Sequence, residues 1–286
     1  MKLQIGDIEV QSIVELEGPF RAPVDFIEAA TDEAMAEHRE LLEPWALDPA
    51  TGKLIFKFQS YLVRTPNHTA LIDTCIGCNK SIARLPDWHQ RQDQTWLNNL
   101  RAAGVEPEAV DYVFCTHMHV DHVGWNTQLA DGRWTTTFPN ARYVFARAEY
   151  EAMEKLGGEV FEESVLPVME AGQAVLVDMD HALDDNLWLE PTPGHTPGHV
   201  AVKLASNGAS ASMCGDLIHA PVQCLHPDWS PRVDYDPDQA HQTRRRYMEQ
   251  QVESAELVLT AHFPTPSTGR FVPKGDAFWF EFDDNA

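Results

Sequence analysis

The chain has 286 residues, 43% of them hydrophobic, enough to fill a substantial core and to set aside a disordered reading. With 21 basic against 44 acidic residues the formal net charge is −23, which argues against nucleic acid or an anionic membrane as main partner, because both need a basic surface. No stretch approaches the roughly 18–20 apolar residues that span a bilayer, and the opening Met1-Lys2-Leu3-Gln4-Ile5-Gly6-Asp7 has no apolar leader, so a cytoplasmic protein is expected.

Residues 4–17 alternate apolar and polar side chains (Ile8, Val10, Ile13, Val14) as two short strands do. Residues 18–54 differ: Pro19 and Pro23 punctuate the start, Thr31 suits the N-cap of a helix reaching Leu42, and Pro44 and Pro49 follow. This stretch reads as an inserted arm that covers a groove or builds a homodimer contact. Residues 55–64 and 69–74 then read as paired strands across Pro66-Asn67-His68, residues 92–103 as an amphipathic helix, and 112–116 as a buried strand. A strand at 143–146 precedes a helix at 147–156. Short strands follow at 173–177, 187–190, 200–204 and 210–214, then a helix at 237–254 and strands at 257–260 and 278–282. Strands and helices mixed without strict alternation suggest a layered α/β sandwich, and no linker marks a boundary, so residues 1–286 read as a single domain.

The stretch that carries chemistry is Cys115-Thr116-His117-Met118-His119-Val120-Asp121-His122, directly after the apolar Tyr112-Val113-Phe114. On an extended backbone residues two apart share a side, so His117 and His119 converge on one ion. A turn after them redirects Asp121 and His122 toward a second. Imidazole and carboxylate suit zinc and neighbouring first-row metals.

His-x-His-x-Asp-His behind a strand resembles the signature of the metallo-β-lactamase superfamily. The resemblance continues through His195 in Thr192-Pro193-Gly194-His195, Asp216 in Cys214-Gly215-Asp216, and His262 in Thr260-Ala261-His262, and spans residues 69–264. It implies a four-layer αββα sandwich with two Zn2+ ions, or other first-row divalent ions, in a groove at one edge. By that resemblance His117, His119 and His195 hold the first ion, Asp121, His122 and His262 the second, and Asp216 bridges them. Asp73 is implied as a partner that orients a ligand, His199 as a packing or supporting group, and Asp121 as a proton shuttle. A hydroxide held between the two ions would then attack a small-molecule substrate.

Departures narrow the branch. One group of true β-lactamases carries Arg after the motif Asp, where this chain has His122, and Cys in place of Asp216. Glyoxalase II has a helical C-terminal extension, and only 24 residues follow His262 here. What remains is similar to the acyl-homoserine lactonase, pyridoxolactonase and methyl parathion hydrolase branch. Gly215-Asp216-Leu217-Ile218-His219 is similar to the last of these, whereas acyl-homoserine lactonases carry Tyr in this region. The expected activity is hydrolysis of a small lactone or carboxylic ester, with a phosphotriester or aryl ester as nearest rival. A single-iron persulfide dioxygenase is disfavoured by the complete set of donors. His219, three residues past Asp216, is a candidate catalytic group as hydrogen-bond donor or acid, or else a ring that orients a ligand.

Weaker features have plainer readings. Cys75-Ile76-Gly77-Cys78 lacks a second cysteine pair and reads as a turn. Cys115 and Cys214 read as packing groups. Trp125, Trp134, Trp229 and Phe263 lie near ligand blocks as core or pocket wall, and Arg244-Arg245-Arg246 reads as a solvated helix face.

Overall fold

The computed structural model describes residues 1–283. The first half of the chain builds one sheet and the second half another, and in each the strands lie side by side in chain order. The first sheet runs Lys2–Ile5, Ile8–Arg21, Leu54–Arg64, Thr69–Ile72, Tyr112–Phe114, Arg142–Ala146 and Ala174–Val177. The second runs Leu187–Pro191, Val200–Ser206, Ala209–Met213, Leu257–Leu259, Thr268–Lys274 and Ala277–Phe282.

Burial explains the stacking. Val63, Ile72, Phe114 and Val144 of the first sheet pack with Val202, Met213 and Leu259 of the second in one apolar layer. The other face of the first sheet is covered by Trp96, Leu97 and Leu100 of helix Thr95–Ala102 and by Tyr150 of helix Arg147–Leu156. The far face of the second sheet takes Tyr247 and Met248 of helix Pro237–Ser254. Helix, sheet, sheet, helix is the expected αββα order. Trp96 and Trp125 are fully buried and stacked at 5.7 Å, and truncating either would cost about 3–5 kcal/mol.

Several elements differ from the expectations. The second strand continues to Arg21, pairing Gly18 with Phe56 and Pro19 with Ile55. Register shifts at Val14/Leu16 and Pro19/Arg21 accommodate the proline, so the chain leaves the sheet four residues later than the composition suggested. Thr31 does cap a helix, accepting from Ala34 N at 3.2 Å, but the expected single helix is two, Asp32–Ala36 and Arg39–Leu42. Strands Thr127–Ala130 and Arg133–Thr136 form an unanticipated hairpin across Asp131-Gly132, both with positive φ. Thr268–Lys274 is a further strand, paired with Ala277–Phe282. Arg244 contradicts the solvated-face reading: it is fully buried, while Arg246 of the same run is exposed. Among the described residues, no helix is long and apolar enough to cross a membrane.

Candidate metal centre

Every expected donor stands in a turn or loop beyond a strand, and these loops meet at one edge of the two sheets. His117 and His119 follow Tyr112–Phe114, and Asp121 and His122 lie in the single turn Val120–Val123. His195 follows Leu187–Pro191, Asp216 follows Ala209–Met213, and His262 follows Leu257–Leu259.

The seven donors gather as two groups. Donor atoms of His117, His119, His195 and Asp216 lie within 4.8 Å of one another, as do those of Asp121, His122 and His262. Asp216 faces both. Its Oδ1 lies 2.9 Å from His262 Nε2 and 3.0 Å from His122 Nε2, while Oδ2 lies 3.4 Å from His195 Nε2 and 3.5 Å from His117 Nε2.

These atoms are badly served by one another. His195 Nε2 meets His119 Nδ1 at 2.9 Å and His122 Nε2 meets His262 Nε2 at 3.3 Å, nitrogen against nitrogen. His117 Nε2 and Asp216 Oδ1 are buried without a hydrogen-bond partner, a costly state unless an ion satisfies them. Zn–N bonds of about 2.0–2.1 Å in tetrahedral geometry put ligand nitrogens about 3.3 Å apart. The donor set fits two metal ions.

Charge agrees. Burial acts to raise the Asp216 pKa, but His122, His262, His219 and His117 hold it well below the usual carboxylate range. Burial lowers the His122 pKa, yet Asp216, Asp73 and Asp121 more than reverse that and raise it well above its ordinary value. His117 and His119, desolvated and facing other imidazoles, are pushed well down and are neutral at pH 7. The pocket attracts positive charge. A divalent ion entering it would release the imidazole protons held there.

A ring of partners fixes the ligands. His122 Nδ1 lies 2.8 Å from Asp73 Oδ2, and the same carboxylate accepts from Thr116 N at 2.7 Å and Thr116 Oγ1 at 2.9 Å. Asp73 has φ +60, a left-handed turn that ends its strand and swings the carboxylate toward the loop. His262 Nδ1 donates to Lys57 O at 3.0 Å. His199 accepts from Asp216 N through Nε2 at 3.0 Å, with Nδ1 2.8 Å from Thr192 Oγ1. It therefore holds the backbone of Asp216. A Cβ on Gly215 would stand 2.7 Å from that Nε2, so the position requires glycine.

Three partners escaped the sequence reading. His195 Nδ1 lies 2.8 Å from Asp234 Oδ1, and Asp234 Oδ2 pairs with Arg244 at 3.1 Å, both side chains fully buried. Arg244 also donates to Leu217 O at 2.7 Å and Pro227 O at 2.8 Å. Glu149, on helix Arg147–Leu156, accepts from Met118 N at 2.8 Å and Gly198 N at 3.0 Å, tying two ligand loops together. Gly198 packs so closely that a Cβ would lie 2.1 Å from Glu149 N. One signal was available for Arg244. Ala240, Thr243, Arg244, Tyr247, Met248 and Gln251 share one helical face, and its apolar members mark that face as buried.

His219 sits inside the cluster. Its Nε2 is 3.1 Å from Asp216 Oδ2, its ring is parallel to His262 at 5.7 Å, and Phe26 of the inserted segment meets it edge-on at 5.2 Å. Neither ring nitrogen makes a hydrogen bond. Burial lowers its pKa to about 4 against the pull of Asp216, which favours the neutral ring at pH 7.

The aromatic wall comes from strand residues, and the anticipated aromatics Trp125 and Phe263 take the core role. Phe56 and Phe58 flank His262 at 5.6 and 5.1 Å, whereas Phe263 and Trp125 are core. Cys75 and Cys78 are free and buried, the Cys75 thiol pushed well up by burial, which leaves no reactive thiolate. Cys115 and Cys214 are likewise buried packing groups.

Two sheets with helices outside and paired His/Asp groups at one edge define a sandwich built to carry two metal ions. The family model described as metallo-beta-lactamase superfamily matches residues 59–262, and the chain belongs to that superfamily. Among curated relatives, an N-acyl homoserine lactonase of a Bacillus species is 34% identical over 108 residues, 38% of either chain. The enzyme of the same name from Bacillus thuringiensis is 25% identical over 166 residues, 58% of this chain and 61% of the relative. These alignments span less than two thirds of each relative's length. Among solved structures, AidC, a dizinc quorum-quenching lactonase in complex with a product, superposes with TM-score 0.80 at 22% identity, covering 99% of this chain and 97% of the other. The hydrolase AbOPH superposes at 0.79 and 23% identity, covering 99% and 98%.

Proposed function

We propose that this chain is a binuclear zinc hydrolase that opens a small, neutral lactone or carboxylic ester. The observation that carries the reading is Asp216, whose two oxygens face two complete donor groups. His117, His119 and His195 would hold one ion, Asp121, His122 and His262 the other, and Asp216 both. When bound, two such ions supply Lewis acidity and an activated water at neutral pH.

The chain's own groups do the rest. Asp121 keeps 14% of its side chain exposed against 4% for Asp216, so the oxygen it does not turn toward His122 and His262 can take a proton and pass it to the leaving oxygen. Neutral His219 offers a ring N–H to the substrate carbonyl oxygen as negative charge develops on it. Phe26 of the inserted segment and Phe56 and Phe58 of the first sheet line this region with apolar rings, which favours a neutral substrate and excludes water. The segment thereby closes one side of the groove. The lactonase relatives support a cyclic ester.

The test is a hydrolysis screen on protein of known metal content, across acyl-homoserine lactones, simple lactones, aryl esters, phosphotriesters and β-lactams. Lactone opening with about two ions per chain is expected. Preference for the phosphotriester, or saturation at one ion, overturns the reading.

A further inference from the structure

A second cluster of metal-ligating side chains lies outside the paired donors and shares no residue with them. We propose that Glu37, His38 and His226 form an accessory, reversible binding site for a divalent transition ion such as zinc, fastening the inserted segment to the loop after Asp216.

The three residues come from opposite parts of the chain. His38 lies between the short helices Asp32–Ala36 and Arg39–Leu42, and His226 caps helix Val222–Leu225, 188 residues later. Their Nε2 atoms nevertheless face each other at 2.8 Å. Glu37 Oε1 lies 3.5 Å from His38 Nε2, and one donor atom from each of the three falls within 4.8 Å of the others. Two imidazoles sharing one proton explain the short nitrogen contact without an ion, but leave the adjacent carboxylate unused. A tetrahedral ion needs the nitrogens about 3.3 Å apart, a separation that small ring rotations reach. The carboxylate is then within ligand range.

The surroundings suit a labile site. Glu37 is 74% exposed while the His38 side chain retains 12%, so an ion could enter and leave from solvent with water at the fourth position. His226 is held in place: Trp229 stacks on its ring at 4.0 Å and 11°, its N donates to Val222 O, and its O accepts from Trp229 N. Burial and the neighbouring His38 lower its pKa, outweighing Asp228 and Glu37, which favours the neutral ring that binds metal.

The site also has leverage. Gln223, on the same helix as the His226 cap, accepts from the backbone N–H of His219 at 2.8 Å. On the segment side, Ile27 pairs with Pro231 and Arg232 N donates to Phe26 O at 2.9 Å. An ion at Glu37, His38 and His226 would lock a wall of the groove to the loop bearing His219. This inference does not rest on the hydrolytic reading.

The experiment is a calorimetric titration of the holoenzyme, carrying its tightly held ions, with Zn2+. Wild type should take up one further, weaker equivalent that is lost in His226→Ala and His38→Ala and weakened in Glu37→Gln. Imidazole NMR of wild type avoids dependence on the variants: the ring resonances of His38 and His226 should shift together on adding Zn2+. No further equivalent, an equivalent retained unchanged in both histidine variants, or unmoved resonances overturns the proposal.

Discussion

The two halves of the donor cluster are built from the same residue types but braced in opposite ways. The His122 and His262 half leans on the first sheet, through Asp73 at a strand end and the carbonyl of Lys57. The His195 half leans on a fully buried ion pair, Asp234 with Arg244, carried by the loop and helix that follow Asp216. A carbonyl brace is part of a strand and costs little to maintain. A buried ion pair is costly to form and costlier to break singly, because the survivor is an uncompensated charge. Orientation in one half is therefore secured by a strand-end carboxylate and a strand carbonyl, and in the other by a carboxylate held in a buried ion pair.

Removing what the halves share should have the largest effect. Asp216→Ala should lower metal content below two per chain and reduce turnover by more than the roughly 10–100-fold typical of a supporting residue, read by elemental analysis and steady-state kinetics. Unchanged metal content would sink the two-ion model. Next comes the charged brace: Arg244→Met should cost about 3–5 kcal/mol of folding stability in urea. Arg244→Met with Asp234→Asn should cost less than the sum of the single changes. Additive losses would mean that the pair is not coupled.

His219→Ala separates reaction from support. A ring that donates to the substrate predicts a turnover loss of roughly 10²-fold with metal retained. If activity instead returns with added zinc, the ring serves only to orient Asp216. The smallest and most discriminating comparison is Asp73→Asn against Asp234→Asn. Each should weaken metal retention by about 10–100-fold in chelator competition. The ion lost first should differ, the one beside His122 in the former and the one beside His195 in the latter. Loss of the same ion from both would erase the contrast between the halves.

The sequence exposed the donors because their chemistry leaves few other uses for such residues at strand ends. His117 to His122 alone gather four ligands in six positions, and Asp216 follows a strand that ends buried. It did not expose Glu149 or Asp234, since a glutamate on an amphipathic helix and an aspartate in a loop have ordinary solvated explanations, and only tertiary contact gives them a partner. Arg244 was misread because three consecutive arginines suggested a surface, although helical period set one apart from its neighbours. The Thr127–Thr136 hairpin did carry its Asp131-Gly132 turn signal, but its strands are four residues each and Thr127-Gln128-Leu129-Ala130 does not alternate polar with apolar residues.

The hydrogen bond from His262 to Lys57 joins positions 205 residues apart. Loops of that length close late, after local pairing has already formed. His117, His119, Asp121 and His122 can be present as soon as one short segment exists, whereas the second ion's group is completed only when the loop after the fourth strand of the second sheet reaches the third strand of the first. A chain closing in that order presents four of the seven donors before His195, Asp216 and His262 can join them.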